Sequence, residues 1–205
     1  MRGGGSSVER RSAAAVAAIV AVWLVTTLLW ITPGITRPDG AGYYAYLPST
    51  YLDRDLLFFD EWAQVRLIRD GRILFKDVTP TQHLSNHWTC GAALAWYPAF
   101  AVAHLFPRGN GFQTLYVAAV AFTSAIASLF VLLAGFRLTQ NVVRHTKTAA
   151  VASIAIWFGS PLAFYATRHA TMSHAISAAA CAGVVLCALR MRGVPRVPRS
   201  SSEFL

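Results

Sequence analysis

Asp39 is the residue whose setting first suggests chemistry. It follows Pro38 in the stretch Arg37 to Glu61, RPDGAGYYAYLPSTYLDRDLLFFDE, which gathers five acidic residues and four tyrosines just beyond an apolar run. A helix beginning at Gly40 would be capped by Asp39, and Tyr43 and Leu47 lie on the same face at i+4 and i+8. A carboxylate held at a bilayer interface, walled by aromatic rings and open to water on one side, suits a general base or a metal ligand. It equally suits a plain cap where a span leaves the lipid, and spacing leaves both roles open. Asp53 and Asp55, in DRDL, form either a cation pair or a solvated turn, while Asp60 and Glu61 read as helix-start residues that favour the helix dipole. His87, between Asn86 and Trp88, suits either a ligand oxygen or a structural bond. Arg168 suits two-pronged phosphate binding or lipid headgroups, and His174 stands as an ionisable group in an apolar run. The tyrosines at 43, 44, 46 and 51 fit a stacking surface or an interfacial aromatic belt.

The elements that must position these groups follow from composition. Of 205 residues, 55% are apolar and 13% charged, and the mean hydropathy is +0.45. That is too apolar for an ordinary soluble domain of this length and points to an all-α integral membrane protein. The net charge of +9 is spread in short basic groups beside apolar runs, a pattern that sets membrane orientation rather than binding nucleic acid. Cys90, Cys181 and Cys187 offer neither a disulfide framework nor zinc-ligand spacing.

Residues 1–12 form a polar tail, and 13–32 a first span too long for a signal-peptide core and lacking a clear cleavage site. Residues 33–112 form a loop with seven acidic and six basic residues between Gly34 and Thr89 and turns at Pro48, Asp70-Gly71 and Thr79-Pro80. Within it Asp60 to Arg69 predicts a short helix, capped by Asp60 and ended by Gly71. Its apolar side, Trp62, Val65 and Ile68, would lie on a membrane or cover a site. Gly91 to Pro107 is a short span or a re-entrant segment. Further spans are predicted at 113–136, 148–166 and 172–189, joined by a loop at 137–147 and a turn at 167–171, with a basic tail at 190–205.

Charge selects between the topologies. With Gly91 to Pro107 not crossing, the segments on the side of the amino terminus hold ten basic residues opposed only by Glu9 and Glu203. Letting it cross moves two basic clusters outside, against the positive-inside bias. The expected architecture is therefore four transmembrane helices with both termini cytoplasmic. Its long extracytoplasmic loop carries juxtamembrane helices and a re-entrant or interfacial segment. Asp39, Arg168 and His174 then face one side.

Three stretches resemble the GT-C superfamily of membrane glycosyltransferases, nearest to family-39-like, mannosyltransferase-related proteins of bacteria. RPDGAGYYAYL is similar to the acidic-x-x-x-Tyr pattern opening their first outer loop. NHWTCGAALAWYPAF, Asn86 to Phe100, sits where the family has an interfacial segment. FGSPLAFYATRHATMSHA, Phe158 to Ala175, matches a span followed by an outer turn carrying Arg. The family then has a second acidic residue, whereas here no Asp or Glu lies between Asp77 and Glu203 and His174 takes that place. The family's enzymes have eight or more spans, so the chain is expected to hold the amino-terminal half of such a module.

The resemblance implies transfer of a sugar from a polyprenyl-phosphate donor, in a bacterial-type inner membrane, to an extracytoplasmic acceptor. Asp39 would be the catalytic residue, and Tyr43, His87, Arg168 and His174 would contact substrate. A divalent cation and a further membrane subunit are left open. Two other classes stand beside this reading. One is a non-catalytic scaffold or accessory subunit. The other is a transporter fragment, although transporters carry ionisable groups near mid-membrane and these lie at the ends of spans.

Overall fold

The computed structural model describes residues 4–68, 78–106 and 109–191, and these residues are all-helical, with one isolated bridge between Val78 and Leu84. Eight α-helices occur among them: α1 (Gly4–Trp30), α2 (Pro38–Pro48), α3 (Phe59–Ile68), α4 (Gly91–Ala103), α5 (Thr114–Val143), α6 (Thr146–Gly159), α7 (Leu162–Thr167) and α8 (His174–Met191). A π-helical turn, Ser49–Asp53, continues α2.

Three helices are long and apolar enough to cross a membrane: Val8–Trp30 of α1, all of α5 and all of α8. Their outward faces carry Leu28, Leu29, Ile126, Phe130 and Val184, all exposed, as lipid-facing helices require. Within the apolar window of α5, 44% of residues are buried in the chain, against 11% in α1 and 6% in α8, so α5 is the helix the others surround.

The helices outrun the apolar runs. The first begins nine residues before position 13, and α5 continues past Phe136 to Val143, because backbone hydrogen bonds extend through polar residues as readily as through apolar ones. The helix stops where Arg144 turns left-handed (φ 56°) and its N–H bonds the Gln140 carbonyl at 3.0 Å. His145 then starts α6, its Nδ1 lying 3.4 Å from the Thr148 N–H it accepts.

The run expected as one helix at 148–166 is two. Pro161 disfavours the helical conformation at Ser160, which is extended (φ −124°, ψ 167°). The Ser160 hydroxyl bridges the gap, donating to the Ile156 carbonyl at 2.7 Å and accepting from the Leu162 N–H at 3.2 Å.

Buried residues form two clusters that share α5. In one, Ile19 and Trp23 of α1 meet Ala125, Leu132 and Phe136 of α5 and Trp157 of α6. There α6 approaches closely, with Gly135 opposite Ile156 and Ser153. The other joins Tyr116, Val117 and Val120 of α5 to Tyr44 and Leu47 of α2, Trp62 and Val65 of α3, and Trp96 and Phe100 of α4. Trp62 and Val65 of the apolar side of α3 thus pack into this aromatic cluster; Arg69 and Gly71 lie outside the described residues.

Gly91 to Pro107 resolves into the 13-residue α4, about 20 Å long at 1.5 Å per residue and short of a hydrocarbon core of about 30 Å. It runs antiparallel to the first third of α5. Trp96 Nε1 donates to Ser124 at 2.9 Å and His104 Nδ1 bonds the Tyr116 hydroxyl at 2.7 Å, eight residues apart on each helix.

Candidate functional site

The segment leaving α1 is laid onto the turn between α7 and α8. Thr32 N–H donates to the Thr167 carbonyl at 3.1 Å, and Thr36 Oγ1 and His169 Nδ1 are hydrogen-bonded at 2.5 Å. Gly40 then rests against Thr171, whose hydroxyl would lie 2.5 Å from a Cβ at that position, so only glycine permits this approach. Sequence reasoning chose Arg168 in this turn. The residue that ties the turn to α2 is its neighbour His169, which nothing in the spacing singles out.

Asp39 is not the cap it was expected to be. The helix starts at Pro38 with Arg37 in the cap position, because proline's fixed φ and missing N–H suit the first helical residue. Asp39 stands in the first turn, where its charge favours the helix dipole, and its side chain is exposed. Arg168, the capping residue of α7, is exposed as well, and no ion pair joins the two among the described residues. His174 opens α8 and stacks on Tyr165 at 3.8 Å with the rings 16° apart.

Burial, and then the charge of Arg37, lower the pKa of His169 below its ordinary value, so the ring is neutral at pH 7.

Asn86 and Trp88 hold their loop on the side of α2. Asn86 Nδ2 donates to the Gly42 carbonyl at 2.9 Å, Tyr46 donates to the Trp88 carbonyl at 2.7 Å, and a methyl group on Gly42 would overlap the Trp88 ring. Tyr43 is half-buried, edge-on to Trp88 at 6.5 Å, and His87 is exposed with its ring 5.0 Å from Trp88. Asn86 and Trp88 therefore anchor the loop to α2, and His87 between them is exposed.

A groove of about 590 Å³ opens between the π-helical turn and α4, lined by Thr50, Tyr51, Leu52, Arg54, Tyr97 and His104. None of the expected site residues lines it. Tyr51 packs edge-on against Tyr97, Phe100 and His104 at 5.4–5.7 Å, so the groove is walled by aromatic faces and edges with one guanidinium at its margin.

Asp53 and Asp55 do not face each other across a shared cation, which was one of the two alternatives for DRDL. Asp55 turns away from Asp53: its Oδ1 accepts from the Leu57 N–H at 3.1 Å and from the Ser49 hydroxyl at 3.3 Å. Asp53 instead meets Asp60 and Glu61, with one carboxylate oxygen of each within 4.8 Å of the others. Glu61 is 1% exposed, and neither of its carboxyl oxygens has a hydrogen-bond partner. Burial, and then the carboxyl of Asp60 beside it, push Glu61 up to about 9; burial and the acids at 60 and 55 raise Asp53.

The fold thus sets the start of α2, which bears Asp39, against the turn that bears Arg168, places Tyr43 and His87 beside Trp88, and collects three acids at the far end of α2. The chain matches no protein-family model, no curated protein and no solved structure.

Proposed function

We propose that the chain crosses the membrane four times, α6 and α7 together making the third crossing, with both termini cytoplasmic and residues 33–112 outside. On that outer face it transfers a sugar from a polyprenyl-phosphate donor to an extracytoplasmic acceptor. The reading rests on the resemblance of the three motifs and on one contact: the Thr36–His169 hydrogen bond, continued by Gly40 against Thr171. This contact keeps the helix bearing Asp39 beside the turn bearing Arg168. The positive-inside bias supports the orientation.

In this reading the acceptor oxygen bonds to the anomeric carbon as the bond to the donor phosphate breaks, and Asp39 takes the acceptor's proton. Arg168 offers paired N–H donors to the departing phosphate, with His174 alongside. Tyr43 and His87 contact the sugar.

The test uses the purified chain in proteoliposomes with a labelled polyprenyl-phosphate hexose and a hydroxyl acceptor. Asp39→Asn lowers transfer by about 100-fold or more while membrane insertion is unchanged. Full turnover in the variant removes the base. No transfer by the wild-type chain, together with co-purification of a multi-span partner, favours the accessory-subunit reading instead. With Cys90, Cys181 and Cys187 replaced by Ser, Asn141→Cys is labelled only from the cytoplasmic face; outside labelling overturns the four-span topology.

A further inference from the structure

The three acids at the end of α2 are brought together by a built loop. After Asp53 the chain turns left-handed at Arg54 (φ 61°) and again at Phe58 (φ 56°), which reverses it into α3. Ser49 fixes the loop, its hydroxyl donating to the Asp55 carbonyl at 3.0 Å and its carbonyl accepting from the Asp55 N–H at 3.0 Å. Phe58 locks the far side, edge-on to Tyr46 at 5.2 Å. Asp53, on the π-helical turn, therefore faces Asp60 and Glu61 in the first turn of α3.

This arrangement is costly on its own. Like charges this close repel, and a buried carboxyl without a hydrogen-bond partner forfeits its hydration. Among the described residues, the groups whose charge bears on Asp53 and Glu61 are themselves acids.

We propose that Asp53, Asp60 and Glu61 bind a divalent, oxygen-preferring cation. Three hard carboxylates and no sulfur or imidazole select such an ion over softer metals. One carboxylate oxygen of each acid lies within 4.8 Å of the others, close enough for all three to reach a single ion. Glu61, buried and unpartnered, supplies the ligand that water does not compete for.

The site is separate from Asp39. The two lie at opposite ends of one helical run, roughly 20 Å apart over 14 residues. It does not depend on the glycosyl-transfer reading. A bound ion would tie α3 to the end of α2 and fix Arg54, which lines the aromatic groove.

The full chain, purified in detergent and stripped of metal with a chelator, is titrated with Tb³⁺, whose emission is sensitised by a nearby indole; Trp62 follows Glu61 in sequence. The expected result is saturable emission displaced by Ca²⁺ or Mg²⁺. Affinity falls by about tenfold or more in Asp53→Asn, Asp60→Asn and Glu61→Gln. Asp53 is exposed, so Asp53→Asn keeps the test readable if a change at Glu61 disturbs folding. Unaltered binding in Asp53→Asn and Glu61→Gln, or no binding by the wild-type chain at millimolar Ca²⁺, overturns the site and leaves the trio held by shared protons.

Discussion

Trp96 donates its indole N–H to the hydroxyl of Ser124 at 2.9 Å, and that hydroxyl donates onward to the Ala170 carbonyl at 2.6 Å. Through one side chain α5 thereby grips α4 on one side and the α7–α8 turn on the other, at the point where its two buried clusters meet. Ser124 is fully buried, so no water replaces it. Ser124→Ala should strand both partners and lower stability by about 1–3 kcal/mol. Thermal unfolding in detergent, followed by tryptophan emission, measures the loss. An unchanged midpoint would mean that Trp96 and Ala170 find other partners and that the joint is dispensable.

The contact between Thr36 and His169 should be sensitive to acid. Burial and the charge of Arg37 hold the folded pKa of His169 below its ordinary 6.5. As pH falls from 6.5 toward that lower value, the unfolded chain takes up a proton before the folded one does. Stability is therefore full above 6.5 and falls with acidification through that window. Histidine resonances followed by NMR should place His169 below the ordinary value, and His169→Gln, which cannot titrate, should flatten that part of the stability profile. A ring that titrates at or above 6.5 would contradict the geometry around it.

These two joints also show what a linear reading reaches. The apolar runs of α1, α5 and α8 were legible because lipid-facing helices need apolar residues all round, and that signal is local. Their ends were less so, since α5 persists through Arg137 and Gln140 on backbone bonds alone. Pro161 stood in plain view inside the third run, but that it would split α6 from α7 depended on Ser160 turning its hydroxyl to the broken ladder. The acids were the hardest. DRDL read as either a cation pair or a solvated turn, yet the left-handed Arg54 sends Asp53 toward Asp60 and Glu61 and leaves Asp55 to hold the loop. Backbone reversals of this kind are not encoded by spacing, so the burial of Glu61 was invisible until the loop was seen. Asp39 does lie just past the first helix, as its position implies, but it is not a cap, because Pro38 starts the helix two residues before Gly40 and puts Arg37 in the cap position.

Gly42 and Trp88 give a direct test of how the loop before α4 is held. A Cβ at Gly42 would overlap the Trp88 ring, and the Gly42 carbonyl also accepts from Asn86, so α2 and the loop are fitted to each other at one point. Gly42→Ala should force the ring aside and cost about 1–3 kcal/mol, the usual range for overpacking. Helix propensity acts in the opposite direction, since alanine is favoured over glycine inside a helix by up to about 1 kcal/mol. The steric cost wins only while the indole is there. Gly42→Ala should therefore destabilise the wild-type chain and be neutral or stabilising in a Trp88→Ala background. A double-mutant cycle on thermal unfolding reads the difference, and simple additivity would show that Trp88 does not sit on Gly42.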